Sequence, residues 1–175
     1  MAAPGYYEGE FEVEFLPYLT GTIGAKVYEL DEPPSRIIDI NDPWVVEVDW
    51  TLTGRAQRFI CGSWGVDVYM ESIGPGPELE LPDKPFENIP LNPIGDGHYH
   101  ARFDVPAGFI KTHVEKWWEE QLEGGGLKRD RETDIVYKMV CTVTYKDLGG
   151  QPGPIAGFVE MPMLQFYYAE KPLNP

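Results

Sequence analysis

The sequence predicts an all-β, mainly antiparallel fold of about seven to nine strands with one short helix. Three observations lead there. Residues 44–53 and 98–105 alternate apolar with polar side chains, the pattern of half-buried strands. Glycine (19) and proline (17) are abundant and put a turn signal about every 10 to 15 residues. The 175-residue chain is also 42% hydrophobic and 13% aromatic. A chain of that length buries roughly 70% of its unfolded surface, a core that needs neither disulfides nor metal. The prediction is a single domain over 1–175 arranged as a β-sandwich, with a β-barrel as the alternative, because periodicity does not give strand order.

Taken in order, residues 1–10 read as a loose arm. Phe11-Glu12-Val13-Glu14-Phe15 alternates apolar with acidic, a short strand whose outward carboxylates protect an edge. Ile23 to Leu30 forms the next strand, preceded by Gly21 and Gly24 and ended by Asp31-Glu32-Pro33-Pro34. Ile37 to Ile40 adds a brief strand before the Asn41-Asp42-Pro43 turn. The central pair follows. Val46, Val48, Trp50 and Leu52 share one face, and Glu47, Asp49, Thr51 and Thr53 the other. Its partner runs from Phe59 to Met70 with Ile60, Trp64, Val66, Val68 and Met70 inward, and a bulge near Gly62 and Gly65 turns Phe59 and Cys61 inward too.

Residues 74–95 form a proline-rich connection with one short strand at 78–81, the six prolines there excluding a helix. Asp96-Gly97 turns the chain into 98–105, with Tyr99, Ala101, Phe103 and Val105 on one face and His98, His100, Arg102 and Asp104 on the other. The one helix is placed at 112–123. Thr112 and Glu115 match a capping box, Val114, Trp117, Trp118 and Leu122 supply an apolar stripe, and three glycines stop it. Residues 134–146 form a long strand with Ile135, Tyr137, Met139, Cys141, Val143 and Tyr145 inward. The last strand, 155–168, is interrupted at Pro162, and 169–175 is a tail.

The run from Asp96 to Gly108, DGHYHARFDVPAG, resembles the penultimate strands of many immunoglobulin-like sandwiches, where a turn with Asp-Gly opens a strand ending in Val-Pro-Ala-Gly. The 134–145 strand and the glycine-proline loop before the last strand are similar to the terminal hairpin of that immunoglobulin-like and fibronectin-III-like superfamily. The resemblance spans 44–168. It implies an immunoglobulin-like β-sandwich and no particular function.

Formal net charge is −15, and only Lys128 to Arg131 is rich in bases, so phosphate recognition is disfavoured and no nucleic acid is expected as partner. No stretch approaches the roughly 18 to 20 apolar residues of a membrane span. The first residues lack a basic segment and an apolar segment of signal type, so no membrane partner and a cytoplasmic location are expected. Cys61 and Cys141 read as buried free thiols within strands, a bridge between sheets being the alternative.

Chemistry-bearing patterns are sparse. His98, His100 and His113 could hold zinc with an open position for water, the basis of a metal-dependent enzyme reading. Asp31, Asp39 and Asp42 could offer oxygens to calcium, although a plain turn over 39–42 explains them as well. No phosphate loop, dinucleotide fingerprint or nucleophile elbow is present. The sequence therefore points to a non-enzymatic binding or assembly module with no catalytic, cofactor or metal residues, acting on a protein partner or on itself. Tyr6, Tyr7, Phe166, Tyr167 and Tyr168 are its candidate apolar patch. The alternative is a carbohydrate or small-ligand module that stacks its ligand on Trp64, Trp117 or Trp118.

Overall fold

The computed structural model describes residues 5–14, 18–74, 77–81, 87–110, 113–116, 130–133 and 135–168, with the backbone alone at 87, 113–116 and 130–133. In chain order the strands are β1 (Tyr6–Glu8), β2 (Glu10–Val13), β3 (Leu19–Glu29), β4 (Ile37–Asp39), β5 (Trp44–Gly54), β6 (Ser63–Ser72), β7 (Leu79–Glu80), β8 (Glu87–Pro90), β9 (His98–Val105), β10 (His113–Lys116), β11 (Asp130–Thr133), β12 (Ile135–Lys146), β13 (Pro152–Glu160) and β14 (Leu164–Tyr167).

Two sheets face each other as a β-sandwich. The first has the order β1-β3-β5-β9, all antiparallel. The second is centred on β12, which pairs along 137–146 with β6 and along its other edge with β13 and then β14. Outside these lie β2 on β13, β4 parallel to β14, and β7 and β8 on β6. Neither sheet closes on itself among the described strands, so the sandwich, not the barrel, is the architecture.

The alternation seen in the sequence sets which face is buried. Val46, Val48, Trp50 and Leu52 of β5, Ala101, Phe103 and Val105 of β9, and Tyr137, Met139, Cys141 and Val143 of β12 fill the space between the sheets. Aromatic rings organise that space at both ends. Trp44 packs on Phe166 at 5.3 Å between centroids, and Trp50, Trp64 and Tyr99 form a mutual cluster at 5.6 to 6.1 Å. Such offset and edge contacts add to the stabilisation from area burial.

Residues 5–10 are not a loose arm. Tyr6–Glu8 pairs with β3 in the first sheet, and Glu10–Val13 pairs with β13 in the second. The crossover is Gly9, whose N–H still donates to Ile23 of the first sheet while a Cβ there would lie 2.0 Å from the Phe158 carbonyl. One continuous stretch thus stitches the two sheets together along one side. The third strand also begins earlier than expected, at Leu19, because its glycines are packing positions. A Cβ at Gly21 would strike the Phe11 ring and one at Gly24 the Tyr6 ring. Glycine inside a strand marks such close approach.

Two further expectations are corrected. Phe59 and Cys61 do not turn inward through a bulge. Gln57–Phe59 is a 3-10 turn that leaves Phe59 in solvent, Cys61 is exposed outside any strand, and only Ile60 of that run reaches the core. The span assigned to a helix contains β10, paired antiparallel with β11 in a register from His113↔Thr133 to Lys116↔Asp130. A helix of a dozen residues is marginal by itself, and a hairpin partner supplies backbone bonds that an isolated helix must find alone. Residues 117–123, with Trp117 and Trp118, and the 169–175 tail lie outside the described residues.

Candidate functional site

The exposed face of the first sheet carries the histidines. Register arranges its side chains in rows across the strands: Thr22, Thr51 and His98; Gly24, Asp49 and His100; Lys26, Glu47 and Arg102. His100 Nδ1 lies 2.8 Å from Asp49 Oδ1, and the Thr22 and Thr51 hydroxyls bond each other at 2.8 Å. With Tyr6 and His98 these residues line a cleft of about 480 Å3. Burial against the sheet and the nearby Asp49 carboxylate push the Tyr6 phenol up. The His100–Asp49 pair is about half exposed on both sides. Exposed pairs of this kind contribute only about 0.2–1 kcal/mol, and the arrangement is a wet polar surface, not a desolvated acid–base centre.

One row behaves differently. Glu47 faces outward, yet it is only 9% exposed because its neighbours close over it. Lys26 Nζ approaches its Oε2 at 2.5 Å, the Tyr28 hydroxyl donates to Oε1 at 2.6 Å, and Arg102 stands at 3.5 Å. Burial by itself pushes the Glu47 carboxyl up, but the bonds from Lys26 and Tyr28 outweigh it and hold the group below the ordinary carboxylate value. The same geometry pushes the Tyr28 phenol up to about 12, through burial first and the bond to Glu47 second. Glu47 is therefore a structural anchor of this face.

A second surface is built at the end of the sandwich where β3, β9 and β13 begin and β5 and β12 end. Four turns meet there, and each raises one large apolar side chain into solvent: Tyr18 is 73% exposed, Phe59 86%, Ile94 88% and Leu148 85%. They are the four most exposed large hydrophobic side chains among the described residues. The turns that carry Ile94 and Leu148, and the one that opens β9, are held by bonds from side chain to backbone. Asp147 Oδ1 accepts from the Gly149 and Gln151 N–H groups, Asn92 Oδ1 from Ile94 N–H, and Asp96 Oδ1 from His98 N–H. Phe59, Ile94, Arg55 and Arg58 border a groove of about 650 Å3. The aspartates of these turns are occupied with backbone, and neither Arg55 nor Arg58 has an ion-pair partner among the described residues.

The other predicted candidates fall elsewhere. His98 and His100 do share a face, whereas the side chain of His113 lies outside the described residues. Among the described residues no three His, Cys, Asp or Glu side chains converge in a way that could hold a metal ion. Asp39 is buried and spends Oδ1 on the Asn41 N–H and side-chain amide at 2.9 Å, so it builds its own turn. Trp64 is fully buried and offers no stacking platform. The terminal aromatic patch is also not assembled as expected, since Phe166 is in the core beside Trp44. Both cysteines are free thiols, Cys61 exposed and Cys141 buried. Burial pushes the Cys141 thiol up to about 12.

Sequence reasoning missed the four-turn end. Its signal was present as single apolar residues beside turn formers, as in Ile94-Gly95 and Asp147-Leu148-Gly149, but only tertiary structure brings them to one end. Among the described residues no helix is long and apolar enough to cross a membrane. No family model matches the sequence, and no curated protein matches it.

Proposed function

We propose that this chain is a non-enzymatic binding or assembly module that acts through protein–protein contacts at the four-turn end of the sandwich. The single observation that carries this reading is the convergence of Tyr18, Phe59, Ile94 and Leu148, each nearly free of protein contact, on one end. Scattered apolar residues on a surface need no explanation, but a set raised at one end beside arginines that have no ion-pair partner among the described residues is the composition of a partner site. The strand order supports an immunoglobulin-like or fibronectin-III-like reading. The runs β3-β5-β9 and β6-β12-β13 follow the order A-B-E and C-F-G of such sandwiches, whose end loops commonly serve recognition. The net charge of −15 disfavours nucleic acid as the partner, and two free thiols accord with a reducing, cytoplasmic location.

The test compares the wild-type chain with Phe59→Ser/Ile94→Ser as immobilised bait, and the purified chain itself is included as prey. Support is a protein retained in stoichiometric amount by the wild type and at least tenfold less by the variant. Equal retention, or retention of nothing, would overturn the reading.

A further inference from the structure

The exposed face of the second sheet is rich in carboxylates, whereas the groove of the four-turn end is bordered by Arg55 and Arg58. Register places Glu10, Phe158, Thr142 and Asp67 in one row across four strands, and Glu160, Val140, Tyr69 and Glu80 in a neighbouring row. Phe158 and Tyr69 are exposed on that face, and Val140 is half-buried between them. With Glu12 and Glu71 the face carries six carboxylates among the described residues, against two bases: Lys138, paired with Glu160 at 2.9 Å, and Lys146, whose ammonium lies over Gly65, one row from Asp67. The result is a flat apolar stripe rimmed by acid. The four-turn end is an apolar crown that holds Arg55 and Arg58, neither of them in an ion pair among the described residues, together with Asp96 and Asp147, which bond turn backbone.

We propose that the four-turn end of one copy docks on the exposed face of the second sheet of another copy. This rests on the protein-contact reading above and names the partner as a second copy of this chain. Phe59, Ile94 and Leu148 would settle on the Phe158–Val140–Tyr69 stripe, and Arg55 and Arg58 would meet the carboxylate rim. Four strand spacings of about 4.8 Å and ten residues at about 3.3 Å make the face roughly 19 by 33 Å, an area that suits a weak contact at the low end of specific interfaces. The two surfaces are different parts of the molecule, so the contact is heterologous. Each copy added leaves one free end and one free face, and the assembly grows as a chain or closes as a ring. Charge complementarity makes it stronger at low salt than at high salt.

The experiment uses light scattering on the purified full-length chain over a concentration series at low and high salt. Two variants accompany it, Arg58→Glu/Phe59→Ser at the end and Glu10→Lys/Asp67→Lys on the face, with Ile94→Ser as a second, gentler end variant. All of these side chains lie at the surface, and circular dichroism verifies that each variant is folded. The expected result is a wild-type average mass that at least doubles with concentration at low salt, and variants that each stay monomeric. Mixing the end variant with the face variant should give a 1:1 dimer and nothing larger, because the mixture contains one working end and one working face per pair. A wild type that stays monomeric throughout, a dimer untouched by either variant, or a mixture that remains monomeric would each overturn the proposal. Tip-dependent binding of the monomer to vesicles of anionic phospholipid would overturn it in favour of a lipid surface. If another protein is captured through the tips while the purified chain stays monomeric, this inference falls and the reading above stands.

Discussion

Glu47 and Asp49 sit two residues apart on the same face of β5, and their surroundings separate their roles. Glu47 is closed over by Lys26, Tyr28 and Arg102, whereas Asp49 shares a half-exposed bond with His100. Removing the Glu47 charge leaves Lys26 and Arg102 facing each other without their shared counterion, so Glu47→Gln should cost roughly 1–3 kcal/mol in urea unfolding. Asp49→Asn should stay within about 0.5 kcal/mol. The folded-state pKa of Glu47 lies below its unfolded value, so its contribution is fully present above the ordinary value of 4.5 and fades as pH falls through the lowered one. Wild type should therefore lose stability more steeply than Glu47→Gln on acidification below pH 4.5, and parallel curves would remove Glu47 from this role. Cys141 has the opposite sign. Its pKa is raised to about 12, so its contribution is complete below the ordinary thiol value of 9.0 and is lost between there and about 12. In the native protein one thiol, Cys61, should react promptly with a disulfide reagent and disappear in Cys61→Ser, while Cys141 should react only on unfolding.

At the level of elements, alternation made the inner faces of β5, β9 and β12 legible, because period-two patterning is a local property. The elements that were misread depend on contacts distant in sequence. Gly21 and Gly24 looked like punctuation before a strand, yet they lie inside β3, where the Phe11 and Tyr6 rings occupy the space a side chain would take. Phe59 broke the strand parity, and a bulge near Gly62 and Gly65 would have turned it inward, but the 3-10 turn beneath it points the ring outward. The capping-box match at 112–115 competed with a hairpin partner fourteen or more residues away, which no local rule counts. The four-turn end was illegible for the same reason. The Phe11 contact gives a sharp test of how the crossing strand holds the sheets. Its ring is clasped by Gly21 of the first sheet and Gly157 of the second, with ideal Cβ positions 2.1 and 2.5 Å from ring carbons. Gly21→Ala or Gly157→Ala should each cost about 1–3 kcal/mol through overpacking. In the Phe11→Leu background the cost of Gly157→Ala should shrink by at least half, a coupling that a double-mutant cycle reads directly.

For the whole molecule, the decisive quantities are a net charge of −15 and the different pairing of acids on the two sheets. The first sheet answers its outward acids with bases, as in the Lys26–Glu47–Arg102–Asp104 chain. On the exposed face of the second sheet, six carboxylates of the described residues stand against two bases, Lys138 and Lys146. Self-repulsion of this kind opposes the folded state, and salt screens it once the Debye length falls from about 30 Å at 0.01 M to about 10 Å at 0.1 M. The paired residues pull the other way, because screening weakens their attraction. Glu47, the best-paired of them, is largely removed from solvent, and its interactions are screened least. Repulsion among exposed acids should therefore govern the response, and the urea midpoint should rise with sodium chloride from 0.01 to about 0.5 M. Glu12→Lys should raise the low-salt midpoint and flatten this dependence, because it replaces an exposed carboxylate opposite Ala156 that has no ion pair among the described residues. The same salt that stabilises the fold should dissolve the assembly of end on face. Stability and association therefore move in opposite directions along one salt axis, and a parallel rise of both would mean that the association is held by apolar contact alone.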